Sequence, residues 1–173
     1  MHILQFHRTV HGCSVRVSQD GLCVRRDPLC YSDAIAFSSQ PLRPEQRVCL
    51  EISTTTTWSG AIRVGVTCHN PNAINPSDLP RFLCPDLSGR EGFWARALSE
   101  RNAQAGNRVA FSLNTSGQLH YYVNNEHKGL LLNHLPTYTS LWLVLDIYGN
   151  TVAAKLVPAG MSQFNFRRGL IDI

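Results

Sequence analysis

Two short stretches of this chain carry side chains suited to holding another molecule. Trp58, Ser59 and Arg63 fall close together, and Tyr148-Gly149-Asn150 places an aromatic and an amide either side of a glycine. Trp and Tyr offer flat apolar area with one polar tip, Arg a fork of donors, and Asn a donor beside an acceptor. That combination suits recognition of peptide amides rather than bond breaking. Arg25 and Tyr31, in the segment Arg25-Arg26 to Tyr31-Ser32-Asp33, and Asn125, in Asn124-Asn125, are further candidates. Each has a plainer reading beside it. Trp58 is either a core residue or a half-exposed platform. Tyr148 and Asn150 equally suit a turn, and the Arg25 to Asp33 segment a solvated loop. Asn124-Asn125 is first of all a hairpin turn, because Asn tolerates the left-handed backbone.

The residue types used for catalysis are present without a pattern that joins them. His7, His11, His69, His120, His127 and His134 lack a nucleophile and carboxylate at a recognisable spacing, and no G-x-S-x-G occurs. Glu51 and Asp146 are carboxylates that a fold could in principle pair, but nothing in the sequence brings them together. Gly89-Arg90-Glu91-Gly92 lacks the Lys and Ser/Thr of a phosphate loop. The six cysteines, Cys13, Cys23, Cys30, Cys49, Cys68 and Cys84, form no C-x-x-C pair. They read as reduced thiols, with no metal and no cofactor expected. The chain itself is expected not to be an enzyme.

The elements that must position these residues read as strands. In residues 61–67 Ile62, Val64 and Val66 alternate with Arg63, Gly65 and Thr67, the period of a half-buried strand. Similar runs fall at 3–6, 14–18, 23–26, 34–37, 47–53, 92–97, 108–113, 119–123, 130–132, 142–147 and 152–157. Turn signals such as Asp20-Gly21 and Ser116-Gly117 separate them. Many short strands predict an all-β antiparallel sandwich. Residues 99–104 are the one helix-like stretch, with Ser99 as cap and Gly106 as stop. Residues 70–92 are rich in Pro and Asn and cannot form a central strand. Their Ile74, Leu79, Phe82 and Leu83 predict a long loop packed on the body.

These segments, in order and spacing, resemble the Neuralized homology repeat. The resemblance is carried by Phe6-His7 with Gly12, Ala34–Ser38 and Pro41-Leu42, and by the Trp58–Thr67 stretch with Asn70-Pro71. It continues through Leu79-Pro80, Cys84-Pro85-Asp86-Leu87, Gly92–Leu98 and Asp146–Asn150. The segments at 84–87, 93–95 and 123–129 look most like the first repeat of a ubiquitin ligase of Notch signalling. The resemblance implies a sandwich related to SPRY domains, with ligands held by loops at one end, and a substrate-recruiting role in a ligase. It further implies that a short Asn-containing motif in the cytoplasmic tail of a Delta, Serrate or Jagged type Notch ligand is docked, leading to ubiquitination and endocytosis. Bearded-type inhibitors would use the same surface. The family's ligases add a C-terminal RING, through which the ubiquitin-conjugating enzyme is recruited. No RING stands in these 173 residues, so the chain is expected to be a fragment or a recognition subunit.

The totals agree with such a domain. A mean hydropathy of −0.13 and 43% hydrophobic residues are ordinary for a globular protein. No leader or membrane-spanning run is expected, and the chain is expected in the cytoplasm, recruited to the plasma membrane or endosomes. The net charge of +4 is scattered, not gathered into a stripe, so nucleic acid is not expected as a partner. A repeat domain over 1–158 and a tail over 159–173, with Phe164, Phe166, Leu170 and Ile171 around Arg167-Arg168, complete the reading. The tail keeps self-association open. A carbohydrate- or lipid-headgroup-binding sandwich is the other alternative.

Overall fold

The alternating runs fold into twelve strands, which the computed structural model describes within residues 4–159. They are β1 (Phe6–His11), β2 (Val15–Val17), β3 (Cys23–Arg26), β4 (Ile35–Pro41), β5 (Arg47–Thr55) and β6 (Arg63–Thr67). Then follow β7 (Phe93–Ala97), β8 (Arg108–Leu113), β9 (Leu119–Val123), β10 (Glu126–Leu132), β11 (Trp142–Asp146) and β12 (Thr151–Val157). Pairing is antiparallel throughout. One sheet has five strands in the order β1-β4-β11-β6-β7, the other seven in the order β10-β9-β8-β5-β12-β3-β2. The all-β sandwich is thus as expected. No helix among the described residues is long and apolar enough to cross a membrane. The tail assigned to 159–173 lies outside the described residues apart from Ala159.

The main core lies between the sheets. It joins Ile62, Val64, Val66, Leu143 and Leu145 of the smaller sheet to Val24, Leu50, Ile52, Val109, Phe111 and Leu156 of the larger. Alternate residues of β5, β6, β8 and β11 reach it, Leu50 and Ile52, Val64 and Val66, Val109 and Phe111, and Leu143 and Leu145, which accounts for the period-2 pattern there. A second cluster covers the outer face of the smaller sheet. Leu83 and Leu87 from the Pro-rich loop bury themselves on Val10, Ile35, Phe37 and Val144. This loop, with single 3₁₀ turns at Pro71–Ala73 and Pro76–Asp78, therefore packs on the body as expected. It also explains the unbroken apolar runs in β4 and β11, since strands covered on both faces lose their alternation.

Three details differ from the sequence expectation. Of the run expected at 3–6, residues 4 and 5 are not in a strand and residue 3 lies outside the described residues; the first strand among the described residues is Phe6–His11. Its register shifts between Phe6 and His11, so that Phe6 enters the main core and Val10 the second cluster, which hides the alternation. Residues 99–104 form turns and not a helix. Asn102 and Ala103 donate one turn of bonds to the Ser99 and Glu100 carbonyls. Gly106 and Asn107 then exchange backbone bonds with Ile52 of β5, at 2.7 and 2.9 Å, and draw the chain back into the sheet. β10 extends back to Glu126, because Asn124 and Asn125 adopt left-handed φ of 50° and 70° and place Glu126 opposite Val123.

Candidate functional site

At one end of the sandwich four connections meet: the β3–β4 loop, the β5–β6 loop, the β11–β12 turn and a stretch of the Pro-rich loop. The β11–β12 turn is set by Gly149, which holds a φ of 64°. Its neighbour Asn150 ties it to the β5–β6 loop. The Asn150 N–H donates to the Gly60 carbonyl at 3.0 Å, and its carbonyl accepts from Thr56 N–H at 2.7 Å. The Asn150 side-chain oxygen accepts from the Thr151 hydroxyl at 3.2 Å, while its NH₂ has no bond among the described residues.

On this base stands a row of three aromatic rings with a guanidinium at each end. The Arg63 guanidinium lies 3.4 Å from the Tyr148 ring centroid and donates from Nη1 to the Ala61 carbonyl at 2.9 Å. Tyr148 meets Phe82 edge-on at 5.9 Å, and Phe82 stacks on Tyr31 at 6.3 Å. Arg81 donates to the Tyr31 hydroxyl at 2.8 Å. Beside the row, Trp58 is 37% exposed and lies over the Arg26 guanidinium, 5.0 Å from ring centroid to Cζ. Exposed Leu29 and Tyr31 extend the apolar area along the β3–β4 loop. The result is a surface with flat apolar faces and donors held by neighbouring groups, the kind of surface on which an extended chain can lie.

The structure thus brings together Trp58, Ser59, Arg63, Tyr148, Asn150 and Tyr31. Ser59 is exposed at the rim of the β5–β6 loop. Two other candidates are placed apart. Arg25 is exposed on the outer face of the larger sheet, paired with Arg16 and Ala153. Asn125 is exposed in the hairpin between β9 and β10, at the edge of that sheet.

The sequence reading passed over Arg26, Arg81 and Phe82 as site residues. For Arg26 the signal was available: with Val24 inward, strand period turns Arg26 inward and Arg25 outward. For Arg81 and Phe82 there was none, because their place depends on where a long loop is laid. Asp33 N–H fixes it by bonding the Arg81 carbonyl at 2.9 Å. A separate shallow cavity of about 290 Å³ lies under the Pro-rich loop near the far end of β6, lined by His69, Ile74, Leu79, Leu87 and Phe93 among others. It shares no residue with the loop-end surface.

Beneath the surface Asp146 is 1% exposed. Burial pushes its carboxyl up to about 6, against the lowering pull of the Leu83 N–H bond and of the Arg63 and Arg26 guanidiniums. Glu51 pairs instead with Arg108 at 3.2 Å on the larger sheet, so the two carboxylates do not form a catalytic pair. The Asp146 shift has a defined consequence. A carboxyl raised in the folded state binds its proton more tightly there than in the unfolded chain. Its contribution is fully present below about pH 4 and is lost as pH rises through about 6. Urea unfolding of the parent and of Asp146→Asn at several pH values should show this downward contribution between pH 4 and 6 in the parent and its absence in the variant. Parallel pH profiles would contradict it. Among the described residues no group of three or more His, Cys, Asp or Glu could hold a metal, and all six thiols are free.

A sandwich of two antiparallel sheets of this kind is the SPRY type of architecture. The SPRY domain of human HERC1 superposes with a TM-score of 0.64 over 90% of this chain and 99% of that one, at 13% identity, a likeness of fold alone. The chain belongs to the Neuralized family, whose model matches residues 6–158. It is similar to the neuralized-NHR1 domain of Drosophila melanogaster, whose crystal structure covers 92% of this chain and 100% of its own length, with a TM-score of 0.87 and 38% identity. It is 40% identical over 163 residues to Protein neuralized of Drosophila virilis, covering 93% of this chain. It is 36% identical over 161 residues to human E3 ubiquitin-protein ligase NEURL3, covering 92% of this chain and 61% of that ligase. The chain spans about a fifth of the Drosophila proteins' length, 21% in each.

Proposed function

We propose that this domain is the docking module through which a ubiquitin ligase takes hold of its substrate. The proposed substrate is the cytoplasmic tail of a Notch ligand of the Delta, Serrate or Jagged type, read through a short Asn-containing motif. The observation that carries this reading is the row Arg63–Tyr148–Phe82–Tyr31–Arg81, flanked by Trp58. A disordered tail would lie across the rings and satisfy its amides on Arg63, Arg81 and the free NH₂ of Asn150. Bearded-type inhibitors would compete there. Chemistry would fall to a RING module elsewhere in the ligase and to the conjugating enzyme it recruits. The work would take place in the cytoplasm, at the plasma membrane or endosomes, and lead to endocytosis of the ligand.

Titration of the isotope-labelled chain with Notch-ligand tail peptides tests the reading. Chemical-shift changes should gather in the loops around Trp58, Phe82 and Tyr148. Affinity should be in the micromolar range, because ordering the tail offsets much of the contact energy. Tyr148→Ala should weaken binding by roughly tenfold. Absence of binding by every tail peptide up to millimolar concentration would remove the substrate assignment.

A further inference from the structure

We propose that the surface of this domain is depleted of ubiquitin acceptors, so that ubiquitin passes to the docked partner, and that Lys155 is the residue that takes what self-modification remains. The inference rests on the docking reading above and adds what that reading does not contain, the fate of the transferred group.

The chain holds 14 arginines and only two lysines, Lys128 and Lys155. Geometry accounts for arginine at some positions. Arg26 forks to two carbonyls, Arg63 stacks on Tyr148, Arg47 lies 3.8 Å from the Tyr122 ring centroid, and Arg108 pairs with Glu51. At Arg8, Arg16, Arg43, Arg96 and Arg101 it does not. These side chains are exposed, and no hydrogen bond or ion pair among the described residues holds their guanidiniums. For solvation and charge a lysine would serve there equally well. What separates the two residues at such sites is reactivity: the lysine amine deprotonates and is the target of ubiquitination, whereas the guanidinium stays protonated.

In a ligase that difference matters. The reaction is attack of a deprotonated ε-amine on the thioester carbonyl of ubiquitin carried by its conjugating enzyme. The C–N isopeptide bond forms, the C–S bond breaks, the amine gives up a proton and the enzyme's thiol is released. A docking module sits close to that thioester, so any lysine on it competes at the high effective concentration of a tethered group. An arginine surface removes the competition and keeps the positive charge.

The two remaining lysines are both on the seven-stranded sheet, away from the loop-end surface. Lys128, on the edge strand β10, is held by Glu126 at 3.4 Å and its side chain is 32% exposed. Lys155 is exposed on β12, between buried Ala154 and Leu156, and points outward from the sheet. No ion pair among the described residues holds its amine. It lies four residues along β12 from Thr151, which sets it back from the docking loops by about 13 Å of strand.

The test compares the parent with Lys155→Arg and with a charge-matched variant carrying R8K, R16K, R43K, R96K and R101K. Each is incubated with preformed ubiquitin thioester on a lysine-reactive conjugating enzyme, with a RING domain supplied in trans, and sites are mapped by mass spectrometry. The parent should be conjugated slowly and chiefly at Lys155. Lys155→Arg should lose most of that product, and the five-lysine variant should gain conjugates several-fold. With a lysine-bearing Notch-ligand tail peptide present, the share of ubiquitin on the peptide should fall in the five-lysine variant. Equal conjugation of parent and five-lysine variant, or a parent product chiefly at Lys128, would overturn the inference. Peptide affinity measured by titration separates the two claims: lack of binding sinks the docking reading, while the acceptor comparison is still read from the chain alone.

Discussion

Replacing Arg26 by methionine should lower the free energy of unfolding by about 2–4 kcal/mol, the cost of two buried acceptors left unpaired less the relief of a buried guanidinium. Arg26 is fully buried. Its Nη1 donates to the Ile147 carbonyl at 3.0 Å and its Nη2 to the Gly149 carbonyl at 3.1 Å. These are the carbonyls on either side of Tyr148, so one planar guanidinium fixes the turn that presents the central aromatic. Methionine fills much of the space and leaves both acceptors unpaired, each at a cost of about 1–3 kcal/mol where water cannot reach. It also takes a positive charge from the neighbourhood of buried Asp146, for which Arg26 is a stabilising neighbour. The loss is partly offset, because burial lowers the Arg26 pKa and its Nε is buried without a partner among the described residues. Arg26→Lys should recover little, since an ammonium cannot reproduce the planar fork. Urea unfolding followed by Trp fluorescence and by circular dichroism reads the change. A loss under about 1 kcal/mol would show that the fork is dispensable.

Gly149→Ala should be similarly severe and should also abolish peptide docking. The Gly149 φ of 64° disfavours any residue with a Cβ, by about 1–2 kcal/mol. A Cβ there would stand 2.5 Å from the Gly60 carbonyl carbon and 2.6 Å from the Ser59 and Gly60 oxygens. These are backbone atoms, so the β5–β6 loop must move. The bond from Asn150 N–H to the Gly60 carbonyl would break, and the ring of Tyr148, which rests on Gly60, would lose its support. Overpacking adds about 1–3 kcal/mol to the conformational term, for a total loss of about 2–5 kcal/mol. Chemical shifts of the variant should change around Trp58, Arg63 and Phe82 before any peptide is added. Gly106→Ala is the control: its φ of 88° is also positive, but no atom lies within 4 Å of the added Cβ, so only the conformational loss should remain. Equal losses in the two variants would refute the role given to the loop contact.

The architecture was legible because the sandwich repeats one local rule. A strand with one face in the core and one in water must alternate, and residues 108–113 do so without tertiary information. Residues 61–67 alternate in residue type but are not half-buried as expected, because β6 lies inside the covered smaller sheet and Gly65 and Thr67 are buried along with Val64 and Val66. Hairpins at Gly21, Gly117 and Asn124-Asn125 were legible for the same reason, since the left-handed φ they need belongs to few residue types. The reading failed where the rule was broken by contacts from elsewhere. β1 serves two cores through a register shift, and residues 99–104 obey bonds to β5 in place of a helix of their own.

The site divides along the same line. Sequence alone determined that aromatic, guanidinium and amide groups stand at strand ends, and that the chain builds strands enough to hold them. Only the tertiary structure decided which of them meet. It turned Arg26 inward and Arg25 outward, carried Arg81 and Phe82 across from a loop far along the chain, and left Asn125 at a distant sheet edge. The physical reason is that a strand's period acts between neighbouring residues, whereas the place of a long loop is set by burial of Leu83 and Leu87 against residues remote in sequence. The loop-end surface is built from such remote contacts.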